Sequence, residues 1–379
     1  TYKILQEADS LGIFQLESSG MQNLLRKLGP TCFDDIVALV ALYRPVPLGS
    51  GMVDQFIESK RHPEKITYPH PALEPVLKDT LGVFIYQEQV MLISRVMGNF
   101  TMGESDKLRK AMSKKKLDQI AEMKDKFLKG AKELKFETAL ADDIYDKMSK
   151  FGEYGFNKSH SAAYGLVTYH TAYLKAHYTT EYMASLLSFA AGKQEDIIKY
   201  IADCRAHNIE VLPPDVNRSV ADFSIEGDRR IRYGLKAVKG IGEKAIESIV
   251  EARTEAGSFT TLSSFFTNVD ISTVNKGVLE ALIKSGGFDS IHPNRAELLV
   301  STDPMLDAAK QMQKDKRSGQ GSLFGGDDAS SSTGDMPIVR TPEWTESIKL
   351  AFEKEVMGLY VSGHPLRKYE KEIKLYSSA

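Results

Sequence analysis

Tyr154-Gly155-Phe156-Asn157-Lys158-Ser159-His160-Ser161 opens a stretch whose helical pattern continues through Tyr164, Tyr169 and Lys175. A helix start leaves backbone N–H groups unpaired and carries the positive end of the dipole, a combination that favours phosphate. Asn157, Ser159 and Ser161 can cap the helix or donate, Lys158 adds a full charge and His160 a further donor. His160 and Tyr164 lie four apart and share one face, where a nucleobase or sugar can pack. An ordinary capped helix whose His and Tyr fill a core fits the same residues equally well.

Outward from this helix the pattern is mostly helical. Upstream, helices are expected over Ser18 to Leu28, Thr31 to Tyr43, Glu88 to Met97 and Asp106 to Leu134, with Gly82 to Tyr86 as a short strand. The Pro- and Gly-rich run from Tyr43 to Gly51 reads as a loop that holds Arg44 stiffly enough for bidentate phosphate contact. Downstream, Pro213-Pro214 breaks the pattern and Phe223 to Leu235, with Gly227-Asp228, reads as a hairpin. Helices resume over Gly242 to Ala256 and Thr273 to Lys284. The Gly-, Ser- and Asp-rich segment 314–342 reads as a flexible linker, and the stretch after it begins as helix. The expected fold class is mainly α with a small β-hairpin, in domains at 1–205 and 206–313, the linker, and a terminal helical segment at 343–379.

Composition limits the function classes. With 379 residues, 42% of them hydrophobic and 26% charged, the chain suits a globular protein of two or three domains. Its formal charge of −2 excludes nothing, because basic stripes can hide inside a near-neutral sum. Cys32 and Cys204 have no metal-ligand spacing and read as thiols of a reducing compartment, which makes a cytoplasmic location the expectation. No apolar run is long enough for a membrane span. A start at Thr1 in mid-pattern suggests a fragment. No Walker loop, HExxH, CxxC or Gly-x-Ser-x-Gly motif is present, and the histidines form no ligand set, so no metal site is expected in this chain.

Three further segments carry chemistry. Lys107-Leu108-Arg109-Lys110-Ala111-Met112-Ser113-Lys114-Lys115-Lys116 holds six basic residues and no acid. Lys107, Lys110 and Lys114 share one helical face. Charge runs are commonly just solvated, yet the lack of interleaved acids favours phosphate. Leu235-Lys236-Ala237-Val238-Lys239-Gly240-Ile241-Gly242-Glu243-Lys244-Ala245 has two glycines flanking an apolar residue ahead of an amphipathic helix. That is the pattern of a helix-hairpin-helix, whose hairpin amides approach DNA phosphates without reading sequence; a glycine-capped helical hairpin used only for packing is the alternative. Lys276 to Asp289, with Gly286-Gly287, is a candidate degenerate partner. In the linker, Gln320-Gly321-Ser322-Leu323-Phe324 places two apolar residues in polar surroundings, as a docking peptide would.

Four motifs in fixed order resemble one family. Gly12-Ile13-Phe14-Gln15-Leu16-Glu17-Ser18, Ala38-Leu39-Val40-Ala41-Leu42-Tyr43-Arg44-Pro45, Ile85-Tyr86-Gln87-Glu88-Gln89-Val90-Met91 and Gly155-Phe156-Asn157-Lys158-Ser159-His160-Ser161-Ala162-Ala163-Tyr164 resemble the C-family polymerases, the alpha subunits of bacterial DNA polymerase III. The resemblance extends to Gly363-His364-Pro365-Leu366. Val46 departs from it, since the family usually has Gly between the two prolines. The resemblance implies a fingers domain followed by a tandem helix-hairpin-helix and clamp-binding region, with the catalytic aspartates and their Mg2+ ions in a palm outside this chain. It implies no catalytic residue here. It places Arg44, Arg109, Lys110, Lys114, Asn157, Lys158, Ser159, His160 and Tyr164 around the incoming dNTP. It places Lys115, Lys116, Lys236, Lys239, Gly240, Ile241, Gly242 and Lys244 on template-primer DNA. Gln320, Leu323 and Phe324 match a sliding-clamp motif, with Gly321 in place of a commoner aliphatic residue. Other replicase subunits are implied as partners of the whole protein. A reading from another class is a stand-alone DNA-binding or repair scaffold that recruits the clamp.

Overall fold

The computed structural model describes residues 1–152, 154–318, 336–366 and Tyr369. The chain divides into two compact units, Thr1–His177 and Tyr178–Ala379. Helices in the first are α1 (Tyr2–Gln6), α2 (Ser19–Leu28), α3 (Phe33–Leu42), α4 (Pro45–Gly49), α5 (Met52–Arg61), α6 (Glu74–Leu77), α7 (Gln87–Gly98), α8 (Met102–Ser113), α9 (Leu117–Glu133), α10 (Thr138–Gly152) and α11 (Lys158–His177). The second holds α12 (Thr179–Phe189), α13 (Gln194–Ala206), β1 (Glu210–Leu212), β2 (Ser224–Ile225), β3 (Arg230–Arg232), α14 (Glu243–Ala256), α15 (Leu262–Asn268), α16 (Lys276–Ser285), α17 (Arg295–Val300), α18 (Thr302–Ser318) and α19 (Glu346–Met357). The protein is mainly α, as the periodicity predicts, and no described helix is long and apolar enough to cross a membrane.

The first unit has two cores. One gathers Leu24, Leu25, Ile36, Leu39, Phe56 and Ala172, and so joins α2, α3 and α5 to α11. The other gathers Ile93, Met97, Leu108, Met112, Phe127, Ile144 and Met148 from α7 to α10. α11 lies close on α3. The Ser161 hydroxyl donates to the Val37 carbonyl, and a Cβ added at Gly165 would stand 3.2 Å from Val37. Further along α11, the fully buried Lys175 ammonium meets Asp9 at 2.6 Å and the Leu11 carbonyl at 2.9 Å. A buried charge is tolerable only with such partners, and these two tie α11 to the turn after α1.

Several sequence expectations change in the structure. Gly82 to Tyr86 forms no strand: its one pairing is a parallel bridge between Tyr86 and Phe156. The Gln89 side-chain oxygen takes the Ile85 and Tyr86 N–H groups at 2.8 and 2.9 Å, so these donors serve the start of α7 instead of a ladder. The run Asp106 to Leu134 is two helices. Lys115 turns left-handed (φ 54°), and the N–H groups of Lys115 and Lys116 donate to Met112 and Ala111, which closes α8. The segment after Arg44 is a short helix, because Pro45 at its first position lacks only an N–H that the helix would leave unpaired anyway.

Residues 178–205, expected in the first domain, build the second unit: Met183, Leu187, Ile197, Ile201 and Cys204 are buried in its core. Its sheet has the order β1-β3-β2, with β2 and β3 as the expected antiparallel hairpin. β1 runs parallel to β3 and is three residues long, too short for a readable alternation. The expected linker is structured where it is described. α18 runs to Ser318, while Met336 is buried in the core and the Val339 N–H donates to Ser301 Oγ.

Candidate nucleotide and nucleic-acid interfaces

In the first unit α7 and α11 begin side by side. Phe156 N–H donates to the Ile85 carbonyl and Gln87 N–H to the Phe156 carbonyl, so two helix N-termini reach the same edge. Asn157 Oδ1 accepts the His160 N–H at 2.8 Å, and Glu88 of α7 accepts the Lys158 N–H at 2.9 Å. Glu88 therefore stabilises the start of α11 as well as standing in the first turn of its own helix. Lys158 is half-exposed, with Nζ 3.5 Å from Asp79 and 5.5 Å from the centre of the Tyr86 ring. Burial, with nearby acids adding to it, pushes the Tyr86 hydroxyl well above its ordinary range, so this wall of the site stays uncharged.

Beside that cation runs a ladder of rings. Phe156 and His160 are 5.5 Å apart, His160 and Tyr164 4.2 Å, and Tyr164 and Phe14 5.4 Å. His160, Tyr164 and Phe14 are exposed and their rings are tilted by 34° and 44° to their neighbours, so the ladder offers a stepped aromatic surface next to a lysine. Phe14 was not singled out as a site residue. Its place comes from packing of a loop on α11, where its N–H donates to Thr171 Oγ1, and no local pattern encodes that.

Arg44 lies at the same edge with its guanidinium largely committed. Nε donates to the Ala41 carbonyl and Nη2 to the Tyr154 carbonyl, each at 2.9 Å, and the group stacks on Phe156 at 4.5 Å. Burial lowers its pKa without bringing neutrality within reach. These contacts make Arg44 a support of the Tyr154–Phe156 turn. Arg109 is also joined to this edge, by Nη1 on the Gln87 side chain at 3.2 Å, and is paired with Asp106.

Lys110 and Lys114 do not share that edge. Residues two apart on a helix point to nearly opposite sides, so Lys107 projects away from Arg109, while Lys110 shares Asp106 with Arg109. Lys107, Lys110 and Lys114 line a separate cavity with Lys116. Lys115 occupies the left-handed turn. Nor do the carboxylates around the start of α11 make a metal pair. Asp79 meets Lys158, Glu88 accepts the Lys158 N–H, and Asp106 binds both Arg109 and Lys110. This arrangement does not fit a pair of Mg2+ ions.

In the second unit the hairpin before α14 has the expected form. Gly240 is left-handed (φ 93°), a conformation open to glycine and costly to a β-branched residue. Gly242 caps α14 in an ordinary conformation, and a Cβ there would meet nothing within 4 Å. Lys236, Lys239, Gly240, Gly242 and Lys244 are exposed around the turn. Ile241 is buried, 8% exposed, and anchors the turn into the core instead of facing a ligand. The Lys239 N–H donates to the Val356 carbonyl, which ties the hairpin to α19. The second glycine pair differs: Gly286 ends α16 instead of opening a helix, and a Cβ there would meet Arg295. The turn between α15 and α16 has Asn275 as its cap, whose side chain accepts the Val278 N–H. Gln320, Leu323 and Phe324 lie outside the described residues.

Comparison with known proteins agrees with this architecture. Residues 1–135 match the family model of the bacterial DNA polymerase III alpha subunit finger domain, and residues 208–298 a helix-hairpin-helix motif. The DNA polymerase III subunit alpha of Pseudomonas aeruginosa is 43% identical over the whole chain, which spans 34% of that relative. The Escherichia coli K12 subunit is 42% identical over 99% of the chain, and the Aquifex aeolicus subunit 46% over 98%, with 33% and 30% of those relatives covered. With both units matched in order and similarity running end to end, this chain belongs to the bacterial DNA polymerase III alpha-subunit family and spans about a third of the length of these relatives.

Proposed function

We propose that this chain is the nucleotide- and DNA-gripping part of a template-directed replicative DNA polymerase, which joins deoxynucleotides to a DNA primer. The observation that carries this reading is the shared edge of α7 and α11, where Lys158 stands beside the ring ladder of Phe156, His160, Tyr164 and Phe14. Lys158 and the Ser159 hydroxyl bind phosphates of the incoming dNTP, while His160 and Tyr164 pack its sugar or base. Asn157, Glu88 and Arg44 hold the helix start in place, and Arg109 closes the edge from α8. Mg2+ is held by residues outside this chain. Single-nucleotide incorporation by the whole protein tests the site. His160→Ala should lower kcat/KM for the dNTP about tenfold, the scale of one lost packing or hydrogen-bond contact. Unchanged constants would return the histidine to a purely structural role.

The hairpin at Gly240 to Lys244 holds duplex DNA through backbone amides, with Lys236, Lys239 and Lys244 adding charge. Gly242→Val is the informative substitution, because its Cβ faces open space in the free protein. It should leave stability nearly unchanged and weaken duplex binding equally across sequences, with a steep salt dependence. A preference for one sequence, or unaltered binding, would contradict backbone contact.

Gln320, Leu323 and Phe324 are the docking peptide for a sliding clamp. Each apolar side chain buried in a partner pocket contributes roughly 1.5–3 kcal/mol, and ordering the segment offsets part of this. Micromolar affinity, roughly −8 kcal/mol, is the expectation. DNA threaded through the ring then raises the effective concentration. Leu323→Ala with Phe324→Ala should abolish clamp-stimulated processivity and spare synthesis without the clamp. Undiminished clamp binding in a direct titration would show the peptide to lie elsewhere.

A further inference from the structure

The amphipathic pattern of α11 is reversed. The positions it buries carry small or polar residues: Ser161, Gly165, Thr168, Ala172 and the ion-paired Lys175. They let the helix lie close on α3, where Gly165 faces Val37. The large apolar residues face solvent instead: Leu166 is 47% exposed, Val167 46%, Leu174 44%, Tyr173 41% and Tyr164 37%. Helical geometry places Leu166, His170, Tyr173, Leu174 and His177 within about 100° of arc, with Val167 at its margin. From Ser159 to His177 no exposed position holds Asp, Glu, Lys or Arg. The ordinary pattern is seen in α9, whose exposed side carries Asp118, Glu122, Asp125, Lys129 and Lys132.

A helix on a protein surface buries its apolar stripe and turns charge to water. Here the five outward apolar side chains expose on the order of 400 Å² together, the size of patch that marks an interaction site. The nucleotide edge does not account for it. His160 and Tyr164 serve the ring ladder, whereas Leu174 lies ten residues further along, about 15 Å away. Whatever covers the face must also reach the start of α11, because face and ladder share Tyr164. The metal-bearing part of the polymerase has to meet that same edge. The chain spans about a third of its relatives' length, so the whole protein has the polypeptide to do so. A second copy of this chain seated there would instead close the nucleotide edge.

We infer that the outward face of α11, from Ala163 to His177, is the seat of the metal-bearing catalytic part of the whole protein, which meets it with an apolar, largely uncharged surface. One element rests on the function proposed above, that the metal chemistry lies outside this chain and acts at the α11 start. Thiol labelling tests the seat. In a Cys32→Ser background, which removes the exposed native thiol, Leu166→Cys, His170→Cys and Leu174→Cys are made singly. Each is labelled with a maleimide in the 379-residue chain and in the whole protein, without DNA or nucleotide, and peptide mass spectrometry reads the rate at that position. Each thiol should react at least about tenfold more slowly in the whole protein, the protection given by a docking equilibrium of about 1.4 kcal/mol. Leu166→Glu with Leu174→Glu should leave the melting of the chain nearly unchanged, and in the whole protein should restore fast labelling at His170→Cys. Equal rates in chain and whole protein would overturn the inference. So would protection in the chain alone that grows with its concentration, which would assign the face to a second copy. Because no substrate is present, the labelling is independent of the Lys158→Ala kinetics. Unchanged kinetics with the thiols protected would remove the nucleotide assignment and leave the seat standing.

Discussion

Lys158→Ala in the whole protein should lower kcat/KM for nucleotide incorporation by about a hundredfold, the scale of removing one donor from developing negative charge. The side chain stands where two helices begin, half-exposed, with Asp79 at 3.5 Å and the centre of the Tyr86 ring at 5.5 Å. The Asp79 contact, at that length, breaks readily, which frees the ammonium for a triphosphate. Charge develops on the phosphates as the bond to the leaving group stretches, so the loss should fall on kcat as well as KM. Lys158→Arg should recover only part of it, because a planar fork does not reproduce a compact ammonium. Pre-steady-state incorporation on a defined primer-template reads the split. A change confined to KM would make Lys158 a ground-state contact, and no change would remove it from the site.

The second large effect concerns stability. Arg295→Ala should destabilise the second unit by about 3–5 kcal/mol, the range for breaking a buried ion pair by removing one partner. Arg295 is 4% exposed and binds Asp289 through Nε and Nη2 at 2.8 and 2.7 Å, and the fully buried Glu353 through Nη1 at 3.1 Å. Burial works against the guanidinium charge, but the two carboxylates raise its pKa overall. Glu353 also accepts the N–H groups of Val361 and Ser362, so the network fastens α19 and the segment after it to α16 and α17. Removing Arg295 strands the Glu353 carboxylate in the core. Replacing both partners by Met and Leu should cost much less, because no buried charge is then left over. Urea unfolding of the parent and the two variants decides between these outcomes, and an unshifted midpoint for Arg295→Ala would contradict the network's role.

Much of this arrangement was legible in the sequence. The 3.6-residue periodicity gave α2, α7, α11 and α14 within a residue or two, and the pair Gly240 and Gly242 marked the hairpin. That Lys158, His160 and Tyr164 stand together at a helix start was readable because a helix start and a four-residue spacing are local facts. Other contributions are not local. Phe14 joins the ring ladder from a loop folded onto α11, and Glu88 caps a helix 70 positions further along the chain. Arg44 was read as a phosphate ligand, yet its donors go to the Ala41 and Tyr154 carbonyls, which only tertiary packing brings within reach. The basic run looked like one stripe because the left-handed turn at Lys115 carries no glycine to signal it. The start of the second unit at Tyr178 was missed for a similar reason. α11 and α12 are both helical and nearly continuous in pattern, while their cores are different.

The central claim is that this chain grips nucleotide and DNA while the metal-dependent chemistry belongs to the rest of the whole protein. Primer extension measures it directly, with the 379-residue chain assayed beside the whole protein on the same primer-template, dNTPs and Mg2+. The account predicts template-dependent extension by the whole protein and none by the chain alone. Extension by the purified chain, free of contaminating polymerase, would contradict it.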